Sequence, residues 1–182
     1  MNNKINIFST PILEVGYDWI LFGIEIEEVI DKLDLRYINN IRDNVGFSIS
    51  NIFKYGDFTY KKFKIGFEWD DSNKFLFESL IYKDELLEMK FRDNKLIEIY
   101  LGNGWKGNVL GFHIGDVLYP KIRGMNLIFD EHEDEFHVQN KNGEIIIGIA
   151  IWTKEICSLE IVKNQKIKTI KIYKRGGIYC EV

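Results

Sequence analysis

Six titratable residues in a row, Asp130-Glu131-His132-Glu133-Asp134-Glu135, bring this chain closest to chemistry. On a straight strand Asp130, His132 and Asp134 share one face and would offer a cation two carboxylates and an imidazole, while His137 falls on the opposite face. No His-Glu-x-x-His, no EF-hand loop and no second cluster of ligands accompanies them, so no metal site is expected. The simpler expectation is an acidic turn between two strands. Such a turn suits a basic protein partner, because opposed charges speed encounter and neighbouring aromatics, once desolvated, carry much of the binding energy. The matching place in the first half holds Glu68, Trp69, Asp70 and Asp71. The expected partner-binding residues are therefore Asp130, Glu131, His132, Glu133, Asp134 and Glu135, with Trp69, Asp70 and Asp71 as a second contact.

Other chemistries find less support. Gly102-x-Gly104-x-x-Gly107 has the spacing of a dinucleotide-binding loop. That chemistry needs a strand, the loop and a helix N-terminus in one βαβ unit. The preceding strands look like antiparallel hairpins, so a flexible junction is expected instead. Gly-x-Ser-x-Gly is missing, and Cys157 lies among alternating apolar residues as a core thiol would. No cofactor and no enzymatic activity is expected. Two alternatives stay open: a small-ligand-binding or sensory module, which needs a concave apolar pocket, and an unrecognised enzyme, which needs convergent polar groups in a cleft.

Composition narrows the partner further. The net charge is −4, with no lysine- or arginine-rich stripe, so nucleic acid loses its usual electrostatic footprint. Cys157 and Cys180 do not make a disulfide framework in a chain of 182 residues, and both are expected as reduced thiols. The start has no signal core, and the longest nearly apolar run, Ile145 to Trp152, falls short of the ~20 residues that span a bilayer. The expectation is a cytoplasmic protein without a membrane partner.

The elements that would position the acidic turns are mostly strands. Phe, Tyr, Trp and Ile are abundant, and such side chains favour a pleated surface. A short strand is expected at Ile5–Phe8. A helix is expected within Asp18 to Leu33, because Ile26, Val29, Ile30 and Leu33 recur at helical spacing; Tyr37, Ile38 and Ile41 permit another turn or two. Strands follow at Tyr60–Trp69, Phe75–Tyr82, Leu87–Phe91 and Leu96–Tyr100, with a tight turn at Asp93-Asn94. A second, shorter helix is expected from Gly115 to Ile122, with Pro120 inside it. Strands then read as Met125–Asp130, Glu135–Val138, Ile145–Trp152, Leu159–Val162 and Ile167–Tyr173.

The chain also repeats itself. Gly23-Ile24-Glu25-Ile26-Glu27-Glu28-Val29-Ile30 returns as Gly111-Phe112-His113-Ile114-Gly115-Asp116-Val117-Leu118. Ile65-Gly66-Phe67-Glu68 matches Leu127-Ile128-Phe129-Asp130, and Phe91 to Leu96 matches Val162 to Ile167. The resulting expectation is an α+β protein of two tandem helix-plus-antiparallel-sheet repeats packed as one unit: residues 1–101, a glycine-rich junction at 102–110, and residues 111–182.

Helix followed by an antiparallel sheet, twice in tandem, resembles the β-lactamase-inhibitor-protein architecture. The phrase Gly111-x-x-Ile114-Gly115-Asp116-x-Leu118, followed by Leu127-Ile128-Phe129-Asp130 and the strands around Gly143, is similar to bacterial immunity proteins of polymorphic-toxin and contact-dependent growth inhibition systems. That resemblance implies a non-enzymatic antitoxin. It would neutralise a cognate toxin domain, often a basic nuclease, by tight stoichiometric binding over the active site.

Overall fold

Alternation of apolar and polar residues dominates this sequence, and alternation builds sheets. The computed structural model describes residues 5–35, 39–45, 48–55, 57–65, 75–119, 121–122 and 124–174. A two-stranded ribbon, β1 (Gly16–Tyr17) and β2 (Ile20–Leu21), precedes a single helix, α1 (Ile26–Lys32). Six strands follow: β3 (Asn39–Val45), β4 (Ser48–Tyr55), β5 (Phe58–Ile65), β6 (Phe75–Tyr82), β7 (Leu87–Arg92) and β8 (Lys95–Leu101). After a long crossing come β9 (Lys121–Ile122), β10 (Met125–Asp130), β11 (Glu135–Gln139), β12 (Ile145–Thr153) and β13 (Ile167–Tyr173).

All but the ribbon form one antiparallel sheet in the order β3-β4-β5-β6-β7-β8-β13-β12-β11-β10-β9. Each half is a meander, and the last strand of each half pairs with that of the other. The hairpin turn at Asp93-Asn94 has both residues at positive φ, 51° and 66°, the geometry that matches strand twist in a two-residue turn.

This architecture overturns the expected α+β fold of two helix-plus-sheet repeats. The described residues hold one helix of seven residues and are otherwise mostly strand. The helix expected from Asp18 starts only at Ile26, because Asp18 and Gly23 have φ of +56° and +87°. It stops at Leu33, before Asp34 at φ +52°. Ile41, expected in a helical turn, lies in β3. No helix forms at Gly115–Leu118: Gly115 has φ +90° and Val117 bridges to Lys166. Ile5–Phe8 is a turn closed by Asn6, and Leu159–Val162 is turn as well.

What recurs is a pattern of hydrogen bonds. In the first half Gly23 N–H donates to the Leu96 carbonyl, Leu96 N–H to Ile24, and Ile26 N–H to Asn94, at 2.9–3.0 Å. In the second half Gly115 donates to Ile167, Ile167 to Asp116, and Leu118 to Gln165, at 2.8–2.9 Å. Gly23 thus corresponds to Gly115, not to Gly111. A β-bulge interrupts β7–β8 between Lys90 and Phe91, and another interrupts β12–β13 between Trp152 and Thr153, with matching partners. At the seam Ile99 pairs with Ile172, Leu101 with Ile170, and Tyr100 with Lys171 between them. A local two-fold axis therefore passes through the Tyr100–Lys171 pair. Carried outwards, the register matches Leu80 with Phe136, Ser79 with Glu135 and Tyr60 with Phe129. The match of Ile65 with Leu127 does not survive it. The match of Lys95-Leu96 with Lys166-Ile167 does.

One face of the sheet carries Leu80, Leu87, Met89, Ile99, Leu101, Phe136, Val138, Ile149, Ile151, Ile170 and Ile172. These pack in one core with Tyr17, Ile20, Ile26, Val29, Trp105, Val109, Phe112 and Leu118. The glycine-rich stretch is part of that packing and not a loose joint. Trp105 is buried and its Nε1 donates to Tyr17 Oη at 3.2 Å, and a Cβ on Gly102 would collide with the Glu85 carbonyl oxygen.

Candidate functional site

The acidic run makes the β10–β11 hairpin. Asp130 and Glu135 close it as a cross-strand pair, and residues 131–134 form its turn. Asp130 Oδ1 accepts the N–H of His132 at 2.8 Å and of Glu133 at 3.4 Å. The short aspartate side chain thereby holds the turn, as Asp commonly does. The His132 N–H is the main reason why the Asp130 carboxyl is held below its ordinary range; Glu133 N–H and His137 act the same way, against partial burial. Asp134 completes the turn at φ +56°.

The structure separates the predicted residues into two groups. Glu131, His132, Glu133 and Asp134 are exposed. Glu135 is fully buried and points across the second face of the sheet. Its Oε2 sits 2.6 Å from Lys171 Nζ and accepts Trp152 Nε1 at 2.8 Å. His137, expected on the face opposite to Asp130, shares its face: Nε2 lies 3.3 Å from Asp130 Oδ2. The hairpin reverses the chain, which a straight-strand reading cannot show. Trp69, Asp70 and Asp71 lie outside the described residues. Among the described residues no group of three or more His, Cys, Asp or Glu is placed to hold a metal.

The second face also holds residues the sequence reading passed over. Tyr100 Oη donates to Glu98 Oε2 at 2.6 Å, and its ring meets Trp152 edge-on at 5.2 Å. Lys90 Nζ stands 4.2 Å from the centre of the same ring. A polar chain thus runs Glu98–Tyr100–Trp152–Glu135–Lys171 across β8, β12, β11 and β13. Glu98 and Lys171 are each only 2% exposed. Burial, reinforced by Glu98, pushes the Tyr100 phenol well above its ordinary range. A buried pair such as Glu135–Lys171 adds little net stability, yet losing one partner strands the other charge in a poor solvent. The signal was in the sequence: Glu98 and Lys171 sit between apolar neighbours at strand spacing. Alternation places such charges on the outward face, and their burial depends on rings from neighbouring strands.

Cys157 is half-buried, and its carbonyl accepts the Gln165 side-chain amide at 2.8 Å. Cys180 lies outside the described residues. A cavity of about 260 Å³ is lined by Leu118, Tyr119, Leu159, Lys163 and Asn164. Pockets for drug-sized ligands span roughly 300–1,000 Å³, and among the described residues of this lining Lys163 carries the charge. Among the described residues no helix is long and apolar enough to cross a membrane. The chain matches no protein-family model, no curated protein and no solved structure.

Proposed function

We propose that this chain is an immunity-type inhibitor that binds a cognate toxin domain stoichiometrically, with the β10–β11 turn as part of the contact. The observation that carries the reading is the turn itself. Four consecutive exposed residues include Glu131, Glu133 and Asp134, on a backbone held by Asp130. A fixed backbone loses less entropy on binding than a loose loop, and its charge steers a basic surface onto it. The resemblance to toxin-immunity proteins supplies the class of partner, and a basic nuclease domain fits the charge. A 1:1 complex should bury on the order of 1,600 Å² in total.

Co-expression with a toxin domain encoded beside this chain tests the reading. Wild type should restore growth. Glu131→Lys with Glu133→Lys should weaken binding about tenfold or more at low salt and less at high salt, since exposed charges are screened. Affinity unchanged by both substitutions would remove the turn from the interface.

A further inference from the structure

The local two-fold axis pairs β5 with β10, and the two are not equally covered. In the first half β4 lies along β5: Tyr55 pairs with Phe58, Lys54 with Thr59, Phe53 with Tyr60 and Ile52 with Lys61. The axis carries those four β5 residues onto Leu127, Ile128, Phe129 and Asp130. In the second half the described residues of β9 pair with Met125 and Asn126. Among the described residues no strand lies beside Leu127–Asp130 on that side. The cause is connection length. Between Ile26 and β4 the first half inserts the rest of α1 and β3, whereas Leu118 and β9 are separated only by Tyr119 and Pro120.

On an antiparallel strand alternate residues turn their N–H and C=O to the same side, so among the described residues the donors and acceptors of this edge have no strand to pair with. Its side chains are suited to a neighbour. Ile128 is 46% exposed on the open face, while Leu127 and Phe129 are half-buried on the core side. The edge ends at Asp130, beside Glu131, Glu133 and Asp134.

We propose that β10 takes up an extended, lysine- or arginine-bearing segment of a protein partner as an added antiparallel strand along Leu127–Asp130. The added strand fills the place β4 fills in the first half. An apolar partner residue sits opposite Phe129, as Phe53 sits opposite Tyr60, and a basic one sits near Asp130 and the acidic turn. Charge selects this occupant over a second copy of the chain, which would bring another net charge of −4 to an acidic edge. The proposal rests on the partner-binding reading above.

Amide hydrogen exchange on the full chain tests it, with a short peptide alternating lysine and valine as probe and its glutamate counterpart as control. The lysine peptide should slow alternate amides within Leu127–Asp130 about tenfold or more, the effect should fall with salt, and the glutamate peptide should have none. Ile128→Lys, a charge at the edge centre, should abolish the protection while leaving the fold intact, since Ile128 is largely exposed. Unchanged exchange at Leu127–Asp130 with saturating lysine peptide would overturn the proposal. So would equal effects of the two peptides, or protection that rises with protein concentration alone, which would mark self-association. Growth rescue that persists in Ile128→Lys would sink the edge and leave the immunity reading standing. Edge protection without any rescue would do the reverse.

Discussion

The two halves share a register and differ in what they finish. Around the Tyr100–Lys171 pair the hydrogen bonds, bulges and core positions match. Away from it the first half continues through β4 and β3, and the second ends in the two-residue β9. The second face differs too. Ser79 and Tyr100 in the first half stand where the second has Glu135 and Lys171, so the second half carries a buried ion pair where the first carries hydroxyls. The half with the less complete edge also carries the acidic turn held by Asp130. Symmetry thus sorts the molecule: what the halves share is scaffold, and what only one half has is the place to look for function.

The largest expected effect concerns the ion pair. Lys171→Met should destabilise the fold by about 3–5 kcal/mol in urea titration, because Glu135 is left buried and charged. Adding Glu135→Leu should restore most of that loss. Tyr100→Phe, at the first-half position, should cost about 1–3 kcal/mol through the lost bond to Glu98. Equal costs for the two single substitutions would erase the contrast between the halves.

Next comes the joint between the N-terminal segment and the crossing chain. Tyr17→Phe leaves Trp105 Nε1 without its acceptor and should cost about 1–3 kcal/mol. Burial pushes the Tyr17 phenol from 10.0 up to about 12. A raised folded value means that its contribution is whole below pH 10 and is lost as pH rises through about 12. Urea titration followed by near-ultraviolet circular dichroism should therefore find Tyr17→Phe less stable than wild type below pH 10, with the gap narrowing as pH rises through about 12.

Gly23→Ala and Gly115→Ala probe the shared scaffold. Both glycines have positive φ, +87° and +90°, and a Cβ would meet nothing within 4 Å at either. The cost should be backbone strain alone, about 1–2 kcal/mol, and equal at the two sites. Unequal costs would weaken the two-fold relation.

The smallest effect is at the acidic turn. The Asp130 carboxyl is held below its ordinary value of 3.8, so its contribution is present above that pH and is lost as pH falls through the lower folded value. The His132 and Glu133 amides should lose protection on acidification in wild type and be unprotected throughout in Asp130→Ala, which removes the acceptor oxygen.

Much of the strand pattern was legible. Phe75–Tyr82, Met125–Asp130 and Ile167–Tyr173 follow from short runs of aromatic and branched residues between turn signals. The helices were not, because helical spacing at Ile26, Val29, Ile30 and Leu33 says nothing of the positive φ at Asp18 and Gly23 that keeps the helix short. The second copy misled for a related reason. Its Gly115-Asp116-Val117-Leu118 matches the first in backbone bonding to Gln165 and Ile167, and that pairing between distant segments replaces a helix. Of the site, the exposed acids were legible as a run of charge. Glu135 was not, since a hairpin closing between Asp130 and Glu135 decides which acids face water and which face Lys171.

Hydrogen exchange of the free chain tests the central contrast most directly, by setting Phe58–Lys61 of β5 against Leu127–Asp130 of β10. The account predicts slow exchange at every amide of the β5 segment, bonded on both sides. In β10 it predicts alternation, with amides facing β11 slow and those on the open edge exchanging about as fast as exposed backbone. Uniform protection along Leu127–Asp130 in the free protein would contradict it.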